Sequence, residues 1–208
     1  MSRFRTPPGP VRPWRGELMA HLVSWVFNPI FYCTAYLAAM TVAHPGWWPA
    51  TLQLWFWLAW VPGLLLLAGV RRGWWSDLDV SVLNERRHFM PWVVVASAAA
   101  LVVTWAGGFP ALLRLSSGAI FVWLALSTLI GRYWKISLHV GGAVGILWLT
   151  TIAFGAVGGA LLVWVPWLVG WARLRLHRHT LGQVIAGAAV GTLSVALVWQ
   201  AMGFSPWR

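Results

Sequence analysis

Long apolar runs, separated by short polar or Gly- and Pro-containing breaks, dominate the chain. Because a helix needs about 20 apolar residues to cross a bilayer, this pattern predicts seven membrane-spanning helices. Their predicted bounds are about 22–42, 51–70, 91–106, 111–131, 138–154, 157–171 and 183–202. The third, fifth and sixth are short for a hydrocarbon core of about 30 Å, and a re-entrant hairpin is the alternative for each. The sequence therefore predicts an all-α, polytopic integral membrane bundle of about six to seven transmembrane helices.

The segment that precedes the first apolar run is basic and rich in proline. We predict a flexible tail over residues 1–20 and a single transmembrane domain over residues 21–208. Composition agrees with a membrane protein, since 60% of the residues are apolar and only 9% are charged. A soluble domain usually carries about a quarter charged residues, so a water-soluble globule is excluded.

Charge is strongly positive, with 15 Lys and Arg residues against 4 Asp and Glu residues. In a soluble protein this balance suggests a nucleic-acid partner, but here few loops exist to form such a site, and we predict none. With seven crossings, only Arg114 and Arg208 lie on one side, which leaves 15 − 2 = 13 basic residues on the other. The positive-inside rule predicts that this basic side is cytoplasmic, in contact with anionic membrane lipids.

Polar residues cluster in three segments on that basic side, 77–91, 135–139 and 172–183. Fixed cations and forked guanidinium donors suit phosphate oxygens, and a helix N-terminus adds further donors. A phosphate ester is therefore the predicted substrate class. The candidate phosphate-binding residues are Arg86, Arg87, Lys135, Ser137 and Arg173.

Two histidines, His139 and His179, belong to the same segments. Together they offer the nucleophile and the general acid that phosphoryl transfer without a metal requires. Gln183 lies one helical turn beyond His179, where its amide is positioned to fix the orientation of that ring. The candidate catalytic residues are therefore His179, His139 and Gln183, and we expect neither a metal ion nor a cofactor.

The three segments resemble the signature motifs of the type 2 phosphatidic acid phosphatase family, membrane lipid-phosphate phosphatases related to vanadium haloperoxidases. The third motif of that family reads Ser-Arg, five residues, His, three residues, Asp. Arg173, His179 and Gln183 have this spacing, with Ala172 in place of Ser and glutamine in place of Asp. The second motif, Pro-Ser-Gly-His, is similar to residues 136–139.

The first motif of the family, Lys, six residues, Arg-Pro, is matched loosely. Asp79 stands where the family has Lys, Arg86 matches the arginine, and Pro91 is displaced. The substitution removes one cation from the expected phosphate site, and Lys135 is a local replacement for it. Similarly, Gln183 carries no charge with which to stabilise an imidazolium.

The resemblance implies a metal-independent phosphatase that hydrolyses a polyprenyl or phosphatidyl phosphate or diphosphate. It implies that His179 attacks phosphorus to form a phosphohistidine, while His139 protonates the leaving oxygen. Gln183 would orient the nucleophile, and Arg173 and Arg86 would bind phosphate, with Arg87 as a close contender.

Two other functions remain open at this point. Asp77 and Asp79 form an Asp-x-Asp pair of the kind that binds a divalent ion with a diphosphate, which predicts a Mg²⁺-dependent membrane transferase for a prenyl- or sugar-diphosphate. The departures at Asp79 and Gln183 would also suit a catalytically inactive relative that binds phospholipid without turnover.

Overall fold

The protein is an all-α membrane bundle, and a computed structural model describes its residues 15–203. Its helical elements include a short 3₁₀ turn over Pro45–Trp47 and a π-helical turn over Phe56–Trp60. The helices are α1 (Arg15–Val26), α2 (Pro29–Ala43), α3 (Trp48–Trp55), α4 (Val61–Arg71), α5 (Leu83–Ala106), α6 (Ala111–Ile130), α7 (Leu138–Leu162), α8 (Val165–Arg175) and α9 (Leu181–Ala201).

Five helical stretches in residues 15–203 are long and apolar enough to cross a membrane: Pro45–Arg71, α5, α6, α7 and α9. The α1–α2 pair raises this number to six if it is counted as one span bent by 51°. At the bend, the Asn28 side chain accepts a hydrogen bond from the Ile30 amide, and Pro29 begins the new helix. The chain is therefore a multi-pass membrane protein, as the apolar runs predict.

The N-terminal boundary differs from the sequence prediction. Residues 15–20, predicted as the end of the flexible tail, are helical because α1 begins at Arg15. Residues 1–14 lie outside the part of the chain that the structure describes.

The predicted sixth span, 157–171, follows a break at Gly155 and is shared between the end of α7 and the 11-residue α8. Gly155 interrupts α7 with φ 69° and ψ −165°, a conformation that side chains other than hydrogen disfavour. A Cβ added to Gly158 would lie 2.9 Å from the Thr150 carbonyl oxygen. Eight residues of straight helix would place them about 12 Å apart, so the chain doubles back at Gly155.

Helix α5 begins at Leu83, well before residue 91, where the third predicted span starts. α5 extends back to Leu83 and includes a polar turn that carries Arg86 and Arg87. Arg86 and Met90, four residues apart, are both buried on one face of this extension, and packing of that face accounts for the early start. The extension places the Arg86 side chain inside the bundle rather than on a loop.

Helices α7 and α9 pack closely enough for their backbones to touch. A Cβ on Gly187 would overlap the Ser137 carbonyl oxygen, and a Cβ on Gly191 would overlap that of Gly141. Small residues at helix crossings in membranes permit this approach. As a result the first turns of α7 and α9 lie side by side at the same end of the bundle.

Candidate active site

The start of α7 is tied to the start of α9 by a backbone contact. The Ser137 amide donates to the Gln183 carbonyl oxygen at 3.1 Å. The fully buried Ser137 hydroxyl is the N-cap of α7, where it accepts a hydrogen bond from the Val140 amide at 3.4 Å. Ser137 therefore fixes the helix that carries His139, whose own side chain is also buried.

A Schellman turn at the end of α8 sets the distance between Arg173 and His179. His177 adopts φ 52°, the His177 amide donates to the Leu174 carbonyl, and the Arg178 amide donates to the Arg173 carbonyl. The turn reverses the chain, so the His179 amide also reaches the Arg173 carbonyl oxygen at 3.4 Å. The five intervening residues are the length that this turn requires.

Gln183 fixes the ring of His179 in one tautomer. The Thr180 amide donates to Gln183 Oε1 at 3.2 Å, which identifies that atom as the oxygen. The same oxygen lies 3.1 Å from His179 Nδ1 and must accept a proton from it. Nε2 of His179 therefore keeps its lone pair, and it has no hydrogen-bond partner among residues 15–203.

Arg173 is the most deeply buried charge of the site, with no exposed surface. Its Nη1 donates to the Ser24 hydroxyl at 2.6 Å and to the Asp79 carboxylate at 2.7 Å. Its Nε and Nη2, which form the forked edge of the guanidinium, are buried and have no partner within the described residues. This free edge is the geometry with which arginine binds a phosphate or carboxylate through two hydrogen bonds.

Asp79 also faces the second histidine. Its Oδ1 lies 3.6 Å from His139 Nε2, another buried nitrogen without a hydrogen-bond partner in the described chain. Tyr32 donates its hydroxyl proton to the His139 carbonyl oxygen at 2.5 Å, which anchors the first turn of α7. One carboxylate thus contacts both the deepest arginine and the general-acid candidate.

Arg86 completes this group from α5. Its Nη1 donates to the Ile136 carbonyl at 3.2 Å and its Nε to the Val80 carbonyl at 3.4 Å. Val80 adopts φ 43°, a strained conformation for a β-branched residue. Asp77 holds the strained loop by accepting hydrogen bonds from the amides of Asp79 and Ser81. We call Asp79, Arg86, His139, Arg173 and His179 the polar cluster.

Asp77 therefore has a structural part in this loop, because its carboxylate also accepts the Ser81 hydroxyl. Among residues 15–203, no group of three or more His, Cys, Asp or Glu side chains is arranged to hold a metal ion.

Arg87 and Lys135 lie around the polar cluster rather than in it. Arg87 is exposed and donates to the Arg132 carbonyl at 2.5 Å, so Arg86 is the arginine of this pair that reaches the cluster. Lys135 is half-buried, and its Nζ lies 3.4 Å from the Arg178 carbonyl oxygen.

Burial and neighbouring charges together determine the protonation states of His179, Lys135 and Asp79. Burial lowers the pKa of the His179 imidazole to about 3, and the positive charges of Arg173 and Arg86 act in the same direction. Burial likewise lowers the pKa of Lys135 to about 8, helped by Arg86 and Arg173. Burial raises the pKa of the Asp79 carboxyl, but interactions with His139 and Arg173 lower it by more, so that pKa lies below its ordinary value. At neutral pH the site has a neutral His179, an ionised Asp79 and an excess of positive charge.

An apolar cavity opens beside the cluster between the spanning helices. It encloses about 1050 Å³, counting its open mouth. Asp79, Arg86 and His139 line one end, and apolar side chains such as Leu149 and Val195 line the rest. His139 and Leu149 are ten residues apart on α7, so the cavity extends about 15 Å along this helix. A hydrocarbon chain fits such walls better than water does.

Sequence reasoning did not find the contacts of Asp79. In the sequence, Asp79 stands out only as a departure from a motif or as part of a metal-binding pair. The structure places its carboxylate on Arg173 across 94 positions of sequence. The only sequence signal for this pairing is that Asp79 is one of four acidic residues in a chain with 15 basic ones.

Comparisons of the chain with protein-family models, curated proteins and solved structures give no match.

Proposed function

We propose that the protein is a membrane phosphatase that hydrolyses a lipid phosphate or diphosphate through a phosphohistidine on His179. The observation that carries the proposal is that three residues of the polar cluster carry four buried nitrogen atoms without hydrogen-bond partners in the described chain: Nε2 of His179, Nε2 of His139, and Nε and Nη2 of Arg173. Unpaired buried polar atoms are costly. A bound phosphoryl group would accept hydrogen bonds from Arg173 Nε and Nη2 and from a protonated His139 Nε2, and would present its phosphorus to the lone pair of His179 Nε2.

The proposed reaction uses these atoms in defined positions. The forked edge of Arg173 binds two phosphoryl oxygens, and the lone pair of His179 Nε2 attacks phosphorus. His139 donates a proton to the leaving oxygen, and the ionised Asp79 carboxylate at 3.6 Å pairs with the imidazolium of that histidine. The neutral His139 then accepts a proton from water, whose oxygen bonds to phosphorus while the N–P bond breaks. Inorganic phosphate is released, the electron pair returns to His179 Nε2, and both histidines are restored.

A lipid substrate is supported by the surroundings of the cluster. The polar atoms lie where spanning helices begin and end, and the adjoining cavity is apolar. A phosphate head group at Arg173 with a hydrocarbon chain beyond it would match this distribution of polar and apolar walls.

The direct test is phosphate release by purified protein in nanodiscs from a panel of lipid phosphates and diphosphates with EDTA present. We expect turnover that EDTA does not reduce, and an acid-labile, base-stable phosphoprotein on rapid quenching. Turnover that requires Mg²⁺ would favour the transferase alternative, and phospholipid binding without turnover would favour an inactive relative.

The pH dependence provides a second prediction, through Lys135. Its ammonium form supports the anionic substrate, and its pKa is lowered to about 8. We therefore expect kcat/KM to fall as pH rises through about 8. Lys135→Arg keeps its charge throughout this range, so its alkaline decline should move to higher pH. An unchanged decline in the variant would assign it to another group.

We further propose that the site faces the cytoplasm, because the basic segments lie at its end of the bundle. Tyr133, in the loop before α7, is 88% exposed. A cysteine at this position should react with an impermeant maleimide only after cells are permeabilised. Labelling in intact cells would reverse the orientation.

A further inference from the structure

A second opening adjoins the polar cluster and shares Arg86 with the apolar cavity. It lies between α5, the end of α6 and the residues before α7, and encloses about 750 Å³, counting its mouth. The charged side chains that line it are all cationic: Arg86, Arg87, Arg132 and Lys135. We call these four residues, with Ser127, the basic pocket.

Ser127 provides an independent indication that the basic pocket binds a ligand. Its side chain is only 4% exposed, and its hydroxyl has no hydrogen-bond partner among the described residues. Elsewhere on α6, Ser116 and Thr128 bond to carbonyl oxygens one turn earlier, at 2.7 Å in both cases. Ser127 makes no such bond and lines the pocket instead. A buried hydroxyl without a hydrogen bond is energetically unfavourable, so a ligand that bonds to it would remove this cost.

The pocket is continuous with the catalytic centre through shared residues. Arg86 belongs to both the pocket and the polar cluster. Lys135 lines the pocket, and its charge acts on His179. A group bound in the pocket is therefore next to a phosphoryl group held by Arg173.

We infer that the basic pocket binds a second phosphoryl group, so that the preferred substrate is a lipid diphosphate rather than a monophosphate. This inference rests on the proposed function. The terminal phosphoryl group lies at Arg173 and His179, and the lipid-linked phosphoryl group lies in the basic pocket. Met90 and Leu138 line both the pocket and the apolar cavity, so the chain passes over them.

The chemistry follows from this placement. His179 Nε2 forms a bond to the terminal phosphorus, and the bond from that phosphorus to the bridging oxygen breaks. The bridging oxygen keeps the electron pair and leaves with the lipid monophosphate, protonated by His139. The cations of the pocket stabilise the charge that develops on this leaving group, which a monophosphate ester would not place there. Water then gives a proton to His139 and bonds to phosphorus through its oxygen, while the N–P bond breaks and its electron pair returns to His179 Nε2.

The test compares kcat/KM for farnesyl diphosphate and farnesyl phosphate, which share one chain, in nanodiscs of neutral lipid. For the wild type we expect the ratio of diphosphate to monophosphate to exceed about 10, as one charge-assisted contact provides. Ser127→Ala and Arg132→Gln should each lower this ratio about tenfold. Because the Ser127 hydroxyl bonds to nothing in the described protein, its removal should not impair folding. Arg175→Gln, at an exposed cation outside the pocket, is the matched control and should leave the ratio unchanged.

The inference would be overturned if neither pocket variant changed the ratio of kcat/KM for diphosphate to that for monophosphate. This includes the case in which a variant lowers kcat/KM equally for both substrates. Either result would leave the proposed function intact. A lipid head group in the pocket would also overturn the inference; adding phosphatidylglycerol would then alter turnover of both substrates, and the variants would abolish that response. If the wild type hydrolyses neither substrate, the proposed phosphatase function is wrong, and binding to the basic pocket is tested by unfolding temperature instead. Inorganic pyrophosphate should then raise the unfolding temperature of the wild type but not that of Ser127→Ala. Equal stabilisation of the two proteins would contradict the inference.

Discussion

Replacing His179 by alanine should lower phosphate release by about 10⁴-fold or more, the largest effect expected of any single substitution. The reason is that His179 is the proposed nucleophile, and its Nε2 carries a buried lone pair without a hydrogen-bond partner in the described chain. Gln183 Oε1 accepts the Nδ1 proton at 3.1 Å, and burial lowers the pKa of the ring to about 3. The proposed nucleophile is therefore neutral around neutral pH, without any need for a base to deprotonate it.

The measurement is phosphate release under single-turnover conditions, together with the amount of acid-labile phosphoprotein. His177→Asn is the matched control, because His177 is a nearby exposed histidine and asparagine tolerates its φ of 52°. We expect the control to retain activity close to that of the wild type. If His179→Ala released phosphate as fast as the His177→Asn control, His179 would have no part in the mechanism.

Replacing Arg173 by glutamine should produce the second largest effect, on activity and stability together. Activity should fall about 10³-fold, because the forked edge that faces the transition state is lost. Stability should fall by about 3 kcal/mol, because the variant leaves the half-buried Asp79 carboxylate without its 2.7 Å partner, the fully buried Arg173.

The two effects can be separated with a double variant, Arg173→Gln with Asp79→Asn. Removing both charges eliminates the unpaired carboxylate, so most of the lost stability should return while the activity stays low. Unfolding temperature in detergent measures the first quantity, and phosphate release the second. Recovery of activity in the double variant would show that Arg173 serves only to neutralise Asp79.

The same ion pair has a defined pH dependence. Because the pKa of Asp79 is lower in the folded protein than its ordinary value, the stabilisation is complete above the ordinary carboxyl range. It is lost as pH falls through the lowered pKa. The difference in unfolding temperature between wild type and Arg173→Gln should therefore be constant around neutral pH and narrow only in strong acid.

The helices of the bundle were largely predictable from the sequence, since the solvent for most of the chain is lipid. Apolar runs must form helices there to satisfy their backbone hydrogen bonds, and the spans over 111–131 and 183–202 agree with α6 and α9 within a few residues. Hydropathy failed where a helix has a polar turn. α5 begins at Leu83 because Arg86 and Met90 pack on one buried face, and no apolar run marks that face.

The return of the chain at Gly155 was only partly predictable. The glycines indicated a close turn between the predicted spans over 138–154 and 157–171, but not which glycine makes it. The positive φ of Gly155 and the contact of Gly158 with Thr150 are properties of the folded chain.

For the site, the sequence by itself determined which chemical groups are present and their local spacing. The step from Arg173 to His179 is the length of a Schellman turn, and the step from His179 to Gln183 is one helical turn. Both are short-range relations that backbone geometry fixes. Only the tertiary structure decided that Asp79 pairs with Arg173, that Arg86 rather than Arg87 enters the cluster, and that Ser127 faces a pocket. These contacts join segments far apart in the chain, and the packing of whole helices against one another, not local residue pattern, determines which side chains meet.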